Sequence, residues 1–578
     1  MRLNKIFLFL ALFWAYTKVS AQLSTHEQPV SFDPKLKMTV LSKSSNPIVI
    51  MPSLDMAKIE AEDKVDEEYD MPPRFGYSHF VNYDLNNSGT WFKLANGDKL
   101  WQLEVVCPSA LSVNFCYDKF WIPEGGKLFV YSKDRKRVIG AFTSKNNKGD
   151  RENIRGFALG LVYGDDVVLE YYQPKEITTD AIISIKSVVH GYRYIRNNEY
   201  GYGASGSCVV NVNCDEGQNW QYEKRAVALI IVGGNRWCTG SLINTTDLSH
   251  KPYFLTANHC IIENKDAAGD PDLSMYTFYW DYEESGCVYS GIEPSLNKST
   301  TGATIVANPK DDLLNKSDFA LLRLSEEPNN ITGYTPYYLG WDKSGQSGDP
   351  GVCIHHPCGD VKKISTVLSK PLTDVYNEND TYFFRDSSYW KVYWKETENG
   401  FGVVKGGSSG SPLLNSAHRV IGQLRKVNSV ECNTNPYALY GKFDVSWTGV
   451  YNTYADCIHR RLDCWLDSLN TGAETIDGLM VILSSITLSS NQQINSNIAI
   501  TGSGKLFVTG NVELRDNCRI IVESGGKLII EGGRLSNVDL VLKPGAKLEI
   551  TDGGILDIRT DFEAPEGATV FIDDGKIL

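Results

Sequence analysis

Residues 406–413 read Gly406-Gly407-Ser408-Ser409-Gly410-Ser411-Pro412-Leu413, a turn with very little side-chain bulk. Such a backbone can fold sharply, push one hydroxyl outward and turn neighbouring N–H groups toward the point where an oxyanion would form. Ser409 is the candidate nucleophile. The N–H groups of Gly407 and Ser409 are the candidate oxyanion hole. Gly/Ser turns are common and most are only turns, so the weight of this one depends on what else the chain carries.

A serine hydroxyl needs a base to take its proton, and the base needs an acid to fix its tautomer. Residues 253–260, YFLTANHC, run from an apolar strand into a small-residue turn ending in His259 and Cys260. Residues 316–324, KSDFALLRL, place Asp318 just before an alternating strand. The order His259, Asp318, Ser409 is one known triad order, distinct from those of α/β hydrolases and subtilisin-like enzymes. A lone histidine is more often structural. Three fragments with the right residues, order and strand context point to a hydrolase.

At 578 residues the chain is too long for one core and predicts three or more domains. A composition 42% hydrophobic and 22% charged excludes wholesale disorder, and a net charge of −13 argues against a nucleic-acid binder. Residues 1–21 read as a signal peptide. Arg2 and Lys5 precede the apolar run Ile6–Ala15, and Val19-Ser20-Ala21 supplies small residues for cleavage before Gln22. That run is too short to span a bilayer and no other stretch is long enough. The expectation is an exported protein without a membrane span, secreted or held at the cell surface, extracellular or periplasmic.

Residues 22–72, with an acidic run from Glu60 to Glu68, read as a weakly structured, solvated leader. Residues of about 75–176 turn strand-like (KLWQLEVV, KLFVYS, FALGLVYG, VVLEYY) and predict a separate β-rich unit. Residues 205–480 read as many short strands, with helical periodicity only around 456–469, which suggests a β-barrel or sandwich. After Leu479 the pattern changes. Gly504-Lys505-Leu506, Gly526-Lys527-Leu528 and Ala546-Lys547-Leu548 recur at intervals of 22 and 20 residues, with a degenerate copy at Gly567-Ala568-Thr569. Short apolar strands with glycine turns at this period predict a small β-solenoid over 481–578, read as a spacer in preference to a binding module for surface glycan or matrix.

Over residues 203–480 the fragments SGSCVVNVNC, CTGSLIN, YFLTANHC, SDFALLRL, GWD, IHHP, GSSGSP, GQL, LYGKFDVSWTG and WLDSLNTGAETIDGL resemble the lysyl endopeptidase family of serine proteases. The resemblance implies a mainly β, chymotrypsin-like fold of two six-stranded antiparallel barrels with His259, Asp318 and Ser409 in the cleft between them. It also implies disulfides Cys208–Cys432, Cys214–Cys287 and Cys238–Cys260. Residues 22–202 resemble the family's pro-region more loosely, through PEGGKLFVYS.

The remaining cysteines group locally as Cys107 with Cys116, Cys353 with Cys358, and Cys457 with Cys464, leaving Cys518 over. In an exported chain such groups favour disulfides. Cys353, His355, His356 and Cys358 could also form a zinc site. IHHP occurs in the family pattern without the flanking cysteines, so the disulfide is preferred and no metal or other cofactor is expected.

Three positions depart from the family. Its lysine specificity rests on an aspartate just before the final Tyr-Gly, where this chain has Ala438; an ammonium buried there would lack a counter-charge. Lys405 stands in place of a glutamate and Arg425 in place of a histidine. If both point inward, the pocket is basic and favours acidic side chains at the cleavage position, which makes Glu199 a self-processing site. If both reach solvent, the pocket is simply apolar. Ser408 precedes the nucleophile where related zymogens pair an aspartate with a new N-terminus. The pro-domain is therefore expected to act as a folding aid and a plug, removed by cleavage near 199–203. The expected function is a serine endopeptidase made as a proenzyme, acting on proteins or peptides. The rival is a surface binding protein that keeps the fold as a scaffold.

Overall fold

The computed structural model describes residues 27–44, 46–68, 71–193, 202–261, 272–309, 317–374, 388–432, 436–448, 457–560, 562 and 564–578. The signal-peptide expectation for 1–21 and the processing expectation at Glu199 lie outside the described residues.

Strands dominate because β-branched and aromatic residues alternate with polar ones between Gly and Asn turns. The first sheet runs Met38–Lys43, Thr90–Leu94, Lys99–Val106, Asp166–Gln173, Lys127–Ser132, Val138–Phe142, with Ile48–Ile50 added in parallel to Lys99–Val106. A second sheet runs Val162–Tyr163, Ser112–Trp121, Ile182–Gly191, Gly76–Asp84, with Phe157–Ala158 beside Ser112–Trp121. Alternate residues of both sheets, among them Leu103, Val105, Phe115, Tyr117, Val167 and Leu169, meet in one core.

Here the structure corrects the expectation of a loose leader. Two of these strands, Met38–Lys43 and Ile48–Ile50, precede residue 72, and Met56–Glu68 is an α-helix. The acidic run is not simply solvated. Asp63 is buried, accepting from Arg74 Nε at 2.8 Å and pairing with Arg193 at 2.7 Å. The β-rich unit also extends past 176, through Ile182–Gly191.

A third, curled sheet is antiparallel throughout: Ser299–Thr301, Thr277–Tyr279, Val227–Val232, Arg236–Leu242, Tyr253–Ala257, Phe319–Leu324, Ala303–Ala307. Every residue of Val227–Val232, Arg236–Leu242 and Tyr253–Ala257 is buried. A fourth sheet runs Val210–Asn211, Lys363–Thr366, Val352–His355, Pro412–Leu414, Arg419–Val427, Tyr437–Lys442, Tyr389–Tyr393, Leu372–Asp374. Pro412 opens its strand, a position where a missing N–H is tolerated.

Disulfides join Cys208 to Cys432, Cys214 to Cys287 and Cys238 to Cys260. Two expected local bridges are absent. Cys107 packs in the core between the first two sheets, whereas Cys116 faces away from it, its Sγ toward the Gly233 carbonyl. Cys353 lies mid-strand with Sγ 3.2 Å from Ser411 Oγ, and Cys358 sits beyond a sharp turn at φ 56°. Strand geometry thus sends each pair's side chains into different surroundings. The Cys457 side chain lies outside the described residues, so the Cys457–Cys464 expectation does too.

The C-terminal region is a β-solenoid of parallel strands on three faces. On one face Lys505, Lys527, Lys547 and Thr569 stack in register, and the following Leu506, Leu528 and Leu548 fill the interior. Its first strand, Gly478–Ile482, pairs antiparallel with Tyr337–Tyr338. A Cβ on Gly478 would come within 2.1 Å of Tyr337 Oη, so only glycine allows this approach. The hydrophobic core is continuous from the curled sheet into the coils. At the junction Asp477 meets Arg419 at 2.9 Å and Cys518 Sγ at 3.6 Å, and burial followed by the Asp477 charge pushes the Cys518 thiol up.

Candidate active site

Strand Tyr253–Ala257 pairs with Phe319–Leu324 so that Ala257 faces Phe319. The residues just outside that ladder are therefore neighbours: Asn258 N–H donates to the Asp318 carbonyl at 2.7 Å. His259 sits in the 3-10 turn Asn258–Cys260, which the Cys238–Cys260 bridge ties to the next strand. Its N–H donates to Asp318 Oδ1 at 3.0 Å, and its Nδ1 lies 2.7 Å from Asp318 Oδ2. Burial would raise the Asp318 pKa, but the His259 and Arg425 charges and the hydrogen bonds from His259 outweigh it and hold the carboxyl below its ordinary value. His259 Nε2 is buried without a hydrogen-bond partner among the described residues.

The 406–413 turn is fastened to the same place. Thr239 N–H donates to the Ser409 carbonyl at 2.9 Å, and Thr239 Oγ1 donates to the Gly407 carbonyl at 2.8 Å. Gly410, at φ +83°, leaves no room for a Cβ, which would fall 2.2 Å from Thr256 Oγ1. Gly407 is also left-handed, at φ +90°. The N–H groups of Gly407 and Ser409 make no hydrogen bond among the described residues. Ser409 is half-buried, and its carbonyl lies 3.6 Å from Cys260 Sγ. The turn and the His259–Asp318 pair are therefore adjacent.

Ser408 is held by groups that sequence reasoning missed. Its buried Oγ lies 2.8 Å from His355 Nδ1, while His355 Nε2 lies 2.8 Å from Ser365 Oγ. Burial, then His356 and Lys363, push the His355 pKa well below its ordinary value, so the ring is neutral. His356 Nδ1 is bonded to the Asp360 carbonyl at 2.9 Å. Among the described residues His356 Nε2 is buried without a hydrogen-bond partner, and no group of three His, Cys, Asp or Glu side chains placed to share a metal ion occurs. Cys358 N–H donates to the Gly406 carbonyl at 2.6 Å, linking this segment to the turn. The Asp360 carboxylate accepts from the Gly203 N–H at 2.7 Å and from Ser205 Oγ at 2.5 Å, close to the expected processing site. The only signal for these contacts was the IHHP string itself.

The three pocket candidates have different neighbours. A β-bulge between Leu424 and Lys426 re-aims the residue between them, and Arg425 Nε lies 3.6 Å from Asp318 Oδ2. Lys405 is half-buried with its ammonium against Gly206. Ala438 is fully buried, paired with Val392 and Val427.

Residues 202–441 match the family model described as "Lysyl endopeptidase, C-terminal domain". The chain is 29% identical over 279 residues to a lysyl endopeptidase of Pseudomonas aeruginosa, covering 46% of this chain and 54% of that protein. It therefore spans about half the length of that curated relative. Solved structures similar to it include a Glu endopeptidase (18% identity, 38% of this chain and 85% of that one, TM-score 0.24) and a serine endoprotease from Yersinia pestis (14%, 39% and 62%, TM-score 0.24).

The domain has a serine-protease fold of the trypsin-like clan. Within that clan, residues 202–441 are similar to the C-terminal domain of lysyl endopeptidases.

Proposed function

We propose that the chain is a serine endopeptidase in which Ser409 attacks the scissile carbonyl and His259 takes and returns the proton. Asp318 fixes the imidazole tautomer, and the Gly407 and Ser409 N–H groups hold the oxyanion. The observation that carries this reading is the 2.7 Å His259–Asp318 contact, with Nε2 left open next to the Ser409 turn. The two C-terminal sheets before the solenoid are read as the two half-barrels that flank the cleft, with the protease domain over 203–480. Three disulfides fit an oxidising compartment, which supports export. No helix among the described residues is long and apolar enough to cross a membrane.

With Ala438 buried and neutral, cleavage after lysine is not expected. Arg425 is engaged with Asp318, so Lys405 is the cation that would favour an acidic residue before the scissile bond. The test is cleavage profiling of the processed protein on a mixed peptide library beside Ser409→Ala. Cuts that vanish in the variant support the reading. Folded, processed protein that cuts nothing refutes it.

A further inference from the structure

Alternate residues of a strand turn their N–H groups toward the same edge. On strand Arg236–Leu242, the Thr239 N–H holds the Ser409 carbonyl. The Trp237 N–H, about 7 Å further back along the strand, donates to the Pro73 carbonyl at 3.1 Å. Phe75 N–H donates to the Asn235 carbonyl at 2.9 Å, and Arg74 faces Arg236 in an antiparallel bridge. Phe75 stacks on Trp237 with ring centroids 4.1 Å apart, and Pro73 lies against Gly406. Residues 72–75 are therefore a strap laid on the edge that leads into the Ser409 turn.

Arg236 grips this strap. Its Nη1 donates to the Pro72 carbonyl and its Nη2 to Asp66 Oδ2, each at 2.7 Å, and the residue is 7% exposed. A buried guanidinium fork is suited to a carboxylate, and removing these acceptors is costly. The side of the cleft follows from the chemistry. His259 must hand its proton to the departing amine, and the His259 turn is bridged through Cys260 to Cys238 on this strand. The leaving-group half of a substrate thus runs where the strap lies.

We propose that Arg236 anchors a carboxylate-binding subsite on the leaving-group side of the cleft, filled in the intact chain by Asp66 and the 72–75 strap. This rests on the serine-endopeptidase reading above. Substrates with Asp or Glu downstream of the scissile bond are the favoured class once the strap is displaced.

The test has two arms. Peptides varied downstream of the cut are given to the processed protein, and acidic residues there should raise kcat/KM about tenfold, the size of one charge-assisted hydrogen bond. Arg236→Gln should lose that preference and keep the preference before the cut. In the second arm the full chain carries Ser409→Ala, and amide exchange at Phe75 and Trp237 is measured. Adding Asp66→Asn or Arg236→Gln should speed it about tenfold. A wild-type enzyme with no acidic preference downstream overturns the proposal, as does a preference that survives Arg236→Gln. If no peptide is cut at all, the protease reading fails instead; unchanged exchange in both variants then overturns the carboxylate subsite on its own.

Discussion

His355 bridges two buried serines, and cutting either end separates a stability effect from a catalytic one. Ser408→Ala removes the hydroxyl 2.8 Å from Nδ1, and Ser365→Ala removes the one 2.8 Å from Nε2. Each leaves one buried ring nitrogen without its partner, worth about 1–3 kcal/mol. For a domain of this size that is a fall of about 2–4 °C in melting temperature per kcal/mol. The two melting losses should therefore be similar in scale, with Ser408→Ala the larger because the Lys405 N–H also loses its acceptor. Their kinetic effects should not be, because Ser408 lies between Gly407 and Ser409, whose N–H groups hold the oxyanion in the proposed mechanism. Its Oγ also accepts from Lys405 N–H at 3.2 Å, bracing the turn from both sides. Displacing one oxyanion donor costs about 10²–10³ in kcat, so a turn only partly loosened by Ser408→Ala should lose about 10–100-fold. Ser365→Ala should stay within about threefold of wild type. The assay is kcat on one peptide together with calorimetric melting for both variants. Equal kcat losses, or an unchanged kcat in Ser408→Ala, would refute the idea that His355 acts on the site through Ser408.

Asp318→Asn should keep the fold and lower kcat by about 10⁴, since the amide no longer fixes the imidazole tautomer; steady-state kinetics and circular dichroism check both halves. Gly410→Ala should destabilise by about 3 kcal/mol or more, because its φ is +83° and the new methyl meets Thr256 Oγ1, the Thr239 carbonyl and Ala257 N; urea unfolding gives the number. His190, in strand Ile182–Gly191, is pushed down to about 4 by burial and by His79. The unfolded chain therefore binds more protons between about pH 6.5 and 4. Stability is intact above that window and lost as pH falls through it, on the order of 1–2 kcal/mol once solvent screening is allowed for. Amide exchange across 182–191 at pH 7 and pH 4 should show the strand loosening, and equal protection at both would contradict it.

The solenoid was legible because each coil repeats the same local problem, so Lys505, Lys527 and Lys547 announce their shared register in the sequence. The candidate site was legible for a related reason: His259, Asp318 and Ser409 each sit in a short strand-end fragment whose character is local. What was missed depends on distant partners. Strand Met38–Lys43 is exposed along its length and carries no burial pattern, and it is ordered by pairing with Thr90–Leu94. Asp63 looks like any residue of an acidic run until Arg74 and Arg193 arrive. Cys353 and Cys358 are close in number, yet a strand and a left-handed turn send their sulfurs apart. Arg425 was read as a pocket residue from the histidine it replaces in the family pattern, and a bulge that such a correspondence does not register brings its guanidinium to Asp318.

The pairing of Gly478–Ile482 with Tyr337–Tyr338, and the single core that runs through both, give the solenoid the mechanics of a bracket and not of a tether. Parallel strands stack about 4.8 Å apart, so each coil extends the arm by a fixed step in a fixed direction from the protease sheets. Whatever is attached to its outer coils is held at one distance and one angle from the His259–Asp318 pair. A pull on those coils loads the Tyr337–Tyr338 edge directly, without any slack to take up first.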